Sequence, residues 1–494
     1  MVRFSVSLFV GAAWIAFSAP AQAQAQKSPQ TSPDPRASQD SRVRVLEQRL
    51  RDVERQLAEI KAAGARNDAS APLADLKRST SDQYKDLSDR LDNRPVARLD
   101  DGRFSIASRN GDFTLSLRSL VQFDYGYFAQ GKNPASVDLN SGSNFRRAQI
   151  GLVGTAWRDW SYNFTYDFGG NGVEKSGYIY YAYLQYDGLK PFAIRAGAMT
   201  PFLAIEDATG SADLLFLERP SSIDIARNIA GAPGREGVEA YVQGDTYLLS
   251  LAYTGKKTTD AATFDAQQAL VARASWLAVS NSDVKWILDA DVTHVFRLAD
   301  TAPNTTAPNT FSFSNGPELA VDASKTINTG NIDAGKVTQY GFETGATYAG
   351  FYGQGGWFHY SITRHTSLPN PDFSGWYVQA AYSLSGEERA YDPTTASFRG
   401  LRPVHPLGTR GGLGAWELTA RYSNMDLDFM PFAATAAGGI AGGQQNVWNV
   451  GVNWYPTNGL RFIVDYYNIH VDHVNAPAND ISADAIGIRS QVSF

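Results

Sequence analysis

Two groups of ionisable residues in this chain are spaced so that they could act together. Along stretches of alternating polarity, Arg118, Arg147, Arg195, Arg273, Arg297, Arg421, Arg461 and Arg489 fall on the polar face. Asp124, Asp167, Asp289, Asp291, Glu343, Glu417 and Asp465 fall on the same face. A guanidinium grips carboxylate or phosphate through paired N–H donors, and charged walls close together focus the field on a passing ion. Opposed rows of acid and base serve equally to set a transverse field across a water-filled bore, so both uses stay open. The second group is the segment 201–235, where Glu206, Asp207, Asp213, Glu218 and Asp224 stand beside Arg219, Arg227 and Arg235, without a lysine. Its apolar stretch Asp213–Leu217 gives it a reason to fold inward rather than to wave in solvent.

Other chemistries find little material. His470-Val471-Asp472-His473 has metal-ligand types at close spacing. It lies at the edge between a strand and a loop, where two histidines are ordinarily solvated, so no metal is expected. His294, His359 and His365 come with no serine motif, and no nucleophile, base and orienting group can be assembled into an enzyme. The absence of cysteine excludes thiolate ligands and disulfides, and no cofactor is called for. With 44 Lys plus Arg against 50 Asp plus Glu, the net charge of -6 offers no basic patch for nucleic acid.

The elements that must position these residues begin with an export signal. Arg3, the uncharged run Phe4 to Ala19 and the small-residue site Ala21-Gln22-Ala23 describe a signal peptide over 1–23. Residues 24–41 read as a flexible Pro/Ser/Gln linker. Val43, Leu46, Leu50, Val53, Leu57 and Ile60 then step by three and four, an a/d seam in a helical, coiled-coil-like segment over 42–95. Its narrow stripe predicts a small periplasmic helical bundle that holds copies of the chain together. No apolar run reaches the roughly 20 residues of a membrane-spanning helix.

From about residue 104 the period changes to two. Trp160, Tyr162, Phe164, Tyr166 and Phe168 oppose Ser161, Asn163, Thr165 and Asp167, and the same pattern recurs down the chain. Sixteen strands are predicted at 113–127, 145–156, 159–168, 177–187, 191–200, 236–244, 246–255, 268–279, 284–297, 337–349, 351–363, 374–386, 414–424, 444–455, 459–470 and 484–494. Connections after even strands are short and those after odd strands long, with one misfit at 387–413. A soluble sandwich has no reason to sort its loops by parity; a barrel crossing the outer membrane does. The expectation is therefore all-β: a 16-stranded antiparallel transmembrane barrel over 104–494, with greasy residues toward outer-membrane lipid and wettable ones toward a bore too wide for side chains to fill. Phe494, closing an outward apolar row, is a plausible recognition residue for the barrel assembly machinery. A structural or adhesive barrel with an occluded lumen is the alternative, and channel conductance separates the two.

Several short motifs also resemble a known family. Asn144-Phe145-Arg146-Arg147-Ala148-Gln149-Ile150-Gly151-Leu152 is similar to a signature of the phosphate-selective porin O and P family. Asp159–Phe164, Gly188–Phe192, Gly375–Gln379, Gly414–Leu418, Arg421–Ser423, Asn453–Tyr455 and Gln491–Phe494 continue the likeness over most of 104–494. The resemblance implies a homotrimer of barrels through which small anionic or polar solutes diffuse. It also implies an inward-folded periplasmic turn, which would account for 387–413 and its residues Arg389, Arg399, Arg402, His405 and Arg410. Selective members of that family place lysines at the constriction, and 201–235 has none. From residue 103 onward Lys plus Arg number 28 and Asp plus Glu 36, and this departure from the family pattern points to general anion or small-solute passage rather than phosphate selectivity.

Overall fold

The computed structural model describes residues 95–494 except 101–102, 132–136, 170–176, 261–264 and a few positions within 301–307, together with scattered positions between 51 and 86. The chain divides into two compact units, Met1–Leu91 and Asp92–Phe494. In the first, the described positions, such as Arg51–Asp52 and Arg78–Asp82, are helical. The signal peptide, the linker and the six seam residues lie outside the described residues.

The second unit is a sheet closed on itself. A hairpin of β1 (Val96–Asp100) and β2 (Arg103–Ala107) leads into the wall. The wall runs through β3 (Thr114–Gln130), β4 (Gly142–Ala156), β5 (Trp160–Asp167), β6 (Tyr178–Leu189), β7 (Phe192–Met199), β8 (Arg235–Gln243), β9 (Tyr247–Lys257), β10 (Gln268–Ser280) and β11 (Val284–Arg297). The short pairs β12 (Thr310–Phe311) with β15 (Ile332–Asp333) and β13 (Ser314–Asn315) with β14 (Ile327–Asn328) sit in the next connection. The wall resumes with β16 (Lys336–Tyr348), β17 (Phe351–Thr363) and β18 (Asp372–Ser383). After the small hairpin β19 (Tyr391–Asp392) and β20 (Ser397–Phe398), it finishes with β21 (Ala415–Phe429), β22 (Ile440–Thr457), β23 (Leu460–Asp472) and β24 (Ile481–Ser493). Each wall strand pairs antiparallel with the next, and β24 returns to β3 through Ile486↔Tyr127 and Arg489↔Asp124.

All sixteen wall strands fall where the alternation placed them. Along β9 the outward Leu249, Leu251 and Tyr253 are exposed, while the inward Leu248, Ser250, Ala252 and Thr254 are buried. An outward face of Leu, Ile, Val and aromatic residues suits hydrocarbon, and rings gather at its borders. Near the short-turn rim, Trp454 stacks between Trp416 at 5.4 Å and Phe462 at 5.5 Å. Six connections on that rim are two or three residues long, such as Ala349-Gly350 with φ +48° and +80°, the left-handed pair that a two-residue hairpin requires.

The β1–β2 hairpin was not anticipated; it starts eight positions ahead of the expected barrel boundary at 104. Its cause is local. Pairing of β24 with β3 stops at Leu120, which would leave Thr114–Ser116 as an open edge, and β2 supplies their partners. Phe494 stands at this junction, exchanging backbone hydrogen bonds of 2.9 and 3.1 Å with Ser119.

The lumen is much fuller than an open bore. Three connections fold into it: 200–234 with α1 (Ile205–Ala208) and α2 (Ser221–Ala230), 298–335 with the paired short strands, and the long turn 384–414. One apolar cluster gathers Ile223, Ala226 and Ile229 of α2 with Phe313, Phe358 and Met425. A second joins Ile205, Leu215 and Phe216 to Leu277, Ile287, Tyr352 and Phe398. The seam of the wall is tied from inside by Arg489, which donates to both carboxylate oxygens of Asp124 at 2.7 and 2.6 Å with neither side chain exposed. Replacing Asp124 by Ala leaves the buried Arg489 guanidinium only one carboxylate contact, the longer 3.3 Å one with Glu218, an expected loss of about 3–5 kcal/mol. A clear fall in the thermal unfolding midpoint of the detergent-solubilised protein checks it, and an unchanged midpoint refutes the tie.

Candidate functional site

The inward charges divide by what they hold. Arg421 donates to Glu318 at 2.8 Å and to the Glu218 carbonyl at 2.8 Å. Glu318 in turn accepts the Ser221 N–H at 2.7 Å, a carboxylate set at the first turn of α2 where the helix dipole favours it. Arg273 pairs with Asp289 at 2.8 Å and reaches the Thr395 and Ala396 carbonyls of the long turn. Arg389 of that turn grips Glu417 at 2.7 and 2.9 Å. Arg461 and Arg489 reach backbone carbonyls of 212–217. These wall residues, expected to line water, instead fasten the inward segments. Glu343 is likewise covered, accepting the Glu206 N–H of α1, and Asp291 is buried on the neighbouring strand β11.

Bulges decide the other side of the lumen. Between β3 and β4 the register shifts from Gln122↔Arg147 to Phe123↔Phe145, so Arg146 is the extra residue and both it and Arg147 turn inward. Between β5 and β6 the shift from Thr165↔Tyr181 to Tyr166↔Ile179 makes Tyr180 the extra residue. Tyr178, Tyr180, Tyr181 and Tyr183 then form one continuous line, with ring centroids 6.0, 4.6 and 5.9 Å apart. This line joins two cavities. The outer one, about 580 Å³, is bordered by Tyr178, Arg146, Arg219, Arg227 and Lys257. The periplasmic one, about 1010 Å³, is bordered by Tyr181, Tyr183, Arg118, Arg195 and Asp207. Between them lie Tyr180 and Arg147, and Tyr180 stands in the combined field of Arg147, Arg227, Arg219 and Arg118.

Among the described residues, no carboxylate comes within ion-pair distance of Arg118, Arg147 or Arg219. Arg147 donates to the Gln122 amide oxygen at 2.7 Å, and Arg118 lies 5.9 Å from the Tyr181 ring. Arg219 fills its donors with the Glu206, Asp207 and Thr209 carbonyls at 3.0, 3.2 and 2.7 Å, which curls the constriction loop on itself. The acids nearby are taken: Asp207 by Arg227, Glu239 by Arg195 at 2.6 Å, Glu218 by Arg146 at 2.6 and 2.9 Å. Burial alone would raise the Glu218 carboxyl, but Arg146, Arg147 and Arg489 hold it well below the ordinary carboxylate range. Glu206 faces away from the path, accepting from the Gln379 amide at 2.8 Å.

Two expected positions differ. Arg297 is not on the lumen wall: the register shift between Gln268 and Ala269 breaks the parity, and Arg297 is exposed at the outer rim, paired with Asp265. Arg235 braces the end of the loop through the Gly231 and Gly255 carbonyls at 3.1 and 2.9 Å rather than facing the path. Parity could not reveal Arg146 or Tyr180, since each is the surplus residue of a bulge, although the doubled Arg146-Arg147 was visible. Removing the Arg389 guanidinium by Arg389→Ala leaves Glu417 buried and unpaired and releases the long turn. The expected cost is about 3–5 kcal/mol of stability with a larger single-channel conductance, and unaltered conductance would show that the turn does not limit the bore.

A family model for phosphate-selective porin O and P matches residues 113–494. Porin O of Pseudomonas aeruginosa is 25% identical over 411 residues, covering 80% of this chain and 91% of that protein. Among solved structures, the outer membrane protein OmpT of Vibrio cholerae aligns with 12% identity over 78% of this chain and 98% of its own, at a TM-score of 0.48. The outer membrane channel DcaP of Acinetobacter baumannii aligns with 14% identity over 77% and 97%, at 0.47. By its closed sixteen-stranded wall and by the match over the whole of that wall, the chain belongs to the phosphate-selective porin O and P family.

Proposed function

We propose that this outer-membrane porin passes small hydrophilic solutes by diffusion and prefers anions, phosphate among them, along the tyrosine line between the two cavities. The observation that carries the reading is the pair Arg118 and Arg147, cations without a carboxylate partner among the described residues, set beside the tyrosine line. The chain is acidic overall, yet Asp207, Glu218 and Glu239 beside the line are each paired with an arginine, and Asp187 and Asp213 are the acids of the periplasmic cavity without one among the described residues, so the unpaired guanidiniums weight the line toward anions. The absence of lysine from 201–235 favours a general anion path over a site for phosphate alone. In this reading the protein works as a homotrimer, the helical segment before the barrel lies in the periplasm and holds the copies together, and Phe494 presents the terminal strand to the barrel assembly machinery.

The test is electrical. Reconstituted in a planar bilayer under a KCl gradient, the protein is expected to give a reversal potential of anion-selective sign. Arg118→Gln with Arg147→Gln should lower the anion-to-cation permeability ratio by about fivefold, the ratio that corresponds to about 1 kcal/mol of lost attraction in a wet pore. Added phosphate should reduce chloride current. A cation-selective potential rejects the anion preference and leaves the porin intact, whereas an inserted barrel that passes no current makes the packed lumen a plug.

A further inference from the structure

Around α1 lies a buried layer of acids, most of them off the solute path. Asp207 is paired with Arg227 and Asp289 with Arg273. Three more carboxylates, Asp291, Glu343 and Glu206, are only 6, 4 and 2% exposed and meet none but uncharged donors. Asp291 accepts from the Gln339 amide at 2.6 Å. Glu343 accepts from the Tyr377 hydroxyl and from the Glu206 N–H at 3.2 Å, and Glu206 from Gln379. Arg219, the remaining guanidinium of the layer, spends its hydrogen bonds on carbonyls. Arg421 and Arg389 face Glu206 from β21 and the long turn, but Glu318 and Glu417 already match them. Five acids against Arg219, Arg227 and Arg273 leave a formal charge of -2.

A second observation concerns the oxygens. Asp291 Oδ2, Asp289 Oδ1, Gln339 Oε1, Thr293 Oγ1 and Gln379 Oε1 are buried without a hydrogen-bond partner. Thr293 and Gln339 face each other across β11 and β16, one step above Asp291, and neither is exposed. Opposite Asp291 stands Gly341, where a Cβ would collide with Asp291 Oδ2. The layer is thus rich in acceptors and short of donors and positive charge, a combination that is costly in a dry interior. Among the described residues, no three carboxylates or imidazoles converge as a metal ion requires. Protons meet both needs at once, each removing a negative charge and adding a donor.

We infer that Asp291, Glu343 and Glu206 form a proton-holding latch, in which two protons neutralise the layer and seat α1 of the constriction loop against β16. Burial pushes the Glu206 carboxyl, which belongs to the loop, above its ordinary range, although Arg219 and Arg421 oppose this. For acids that favour the neutral form in the seated state, the latch holds at low pH and weakens as pH rises. Ionisation would then set like charges on α1 and the wall, and the loop would leave its seat.

The latch rests on the porin reading but fails separately from it. In single-channel recordings of the full chain, occupancy of altered conductance states should rise about tenfold between about pH 6 and about pH 9, as losing one of the two protons would allow. Asp291→Asn with Glu343→Gln, neutral at every pH, should record the low-pH behaviour throughout. A flat wild-type profile, or a double variant with the full wild-type response, overturns the latch. If no current passes at any pH, the porin reading falls, and thermal unfolding still tests the latch. The wild-type midpoint should drop with rising pH and that of the double variant should not, while equal drops overturn it. Should the double variant not fold, Glu343→Gln alone must lessen the wild-type pH response; an undiminished response overturns the latch.

Discussion

Hydrocarbon gives a peptide N–H or C=O no partner, and sixteen strands meet that demand by pairing in a ring with no open edge. The remaining architecture answers to this closure. Because successive side chains alternate across the wall, one face can be apolar for lipid while the other keeps its charges. Where β24 stops short of β3, a hairpin from upstream fills the vacant edge. Where an extra residue enters a strand, the local face is re-aimed without breaking the ring, and two such places create the path that solutes would follow.

Filling the lumen is the second task, and charge does most of it. An isolated guanidinium in a dry interior is expensive, so each wall arginine over the packed side has a carboxylate, a row of carbonyls, or both. These pairs bind loop, turn and wall into one body across β9 to β11 and β16 to β24. Across β3 to β8 the ties are fewer, Arg146 to Glu218 and Arg195 to Glu239, and Arg118 and Arg147 have no carboxylate partner among the described residues. The same residue type thus serves as fastener where a carboxylate or a row of carbonyls accompanies it, and in the proposed reading as attractor where it does not.

Period-two alternation and the parity of loop lengths made the wall legible strand by strand, because both are imposed by the membrane on every crossing. Arg118, Arg147, Arg195, Arg273 and Arg421 face inward as parity requires. It fails where the period itself breaks: Arg146 and Tyr180 are themselves extra residues and Arg297 is displaced by one, and nothing in one sequence marks a bulge reliably. The contents of the lumen were legible only in outline. The inward habit of 201–235 could be read from its apolar core, but the grip of Glu318 on α2, or of Arg389 on Glu417, joins residues far apart along the chain with no periodicity to announce them.

Asp213 belongs to the outer loop, yet its carboxylate accepts the Gly400 N–H at 2.8 Å and its carbonyl accepts from Arg389 at 2.8 Å, both in the turn that enters from the opposite rim. An outer loop and a turn from the opposite rim are thereby lashed to each other in mid-lumen as well as to the wall, so a change that loosens either one slackens both.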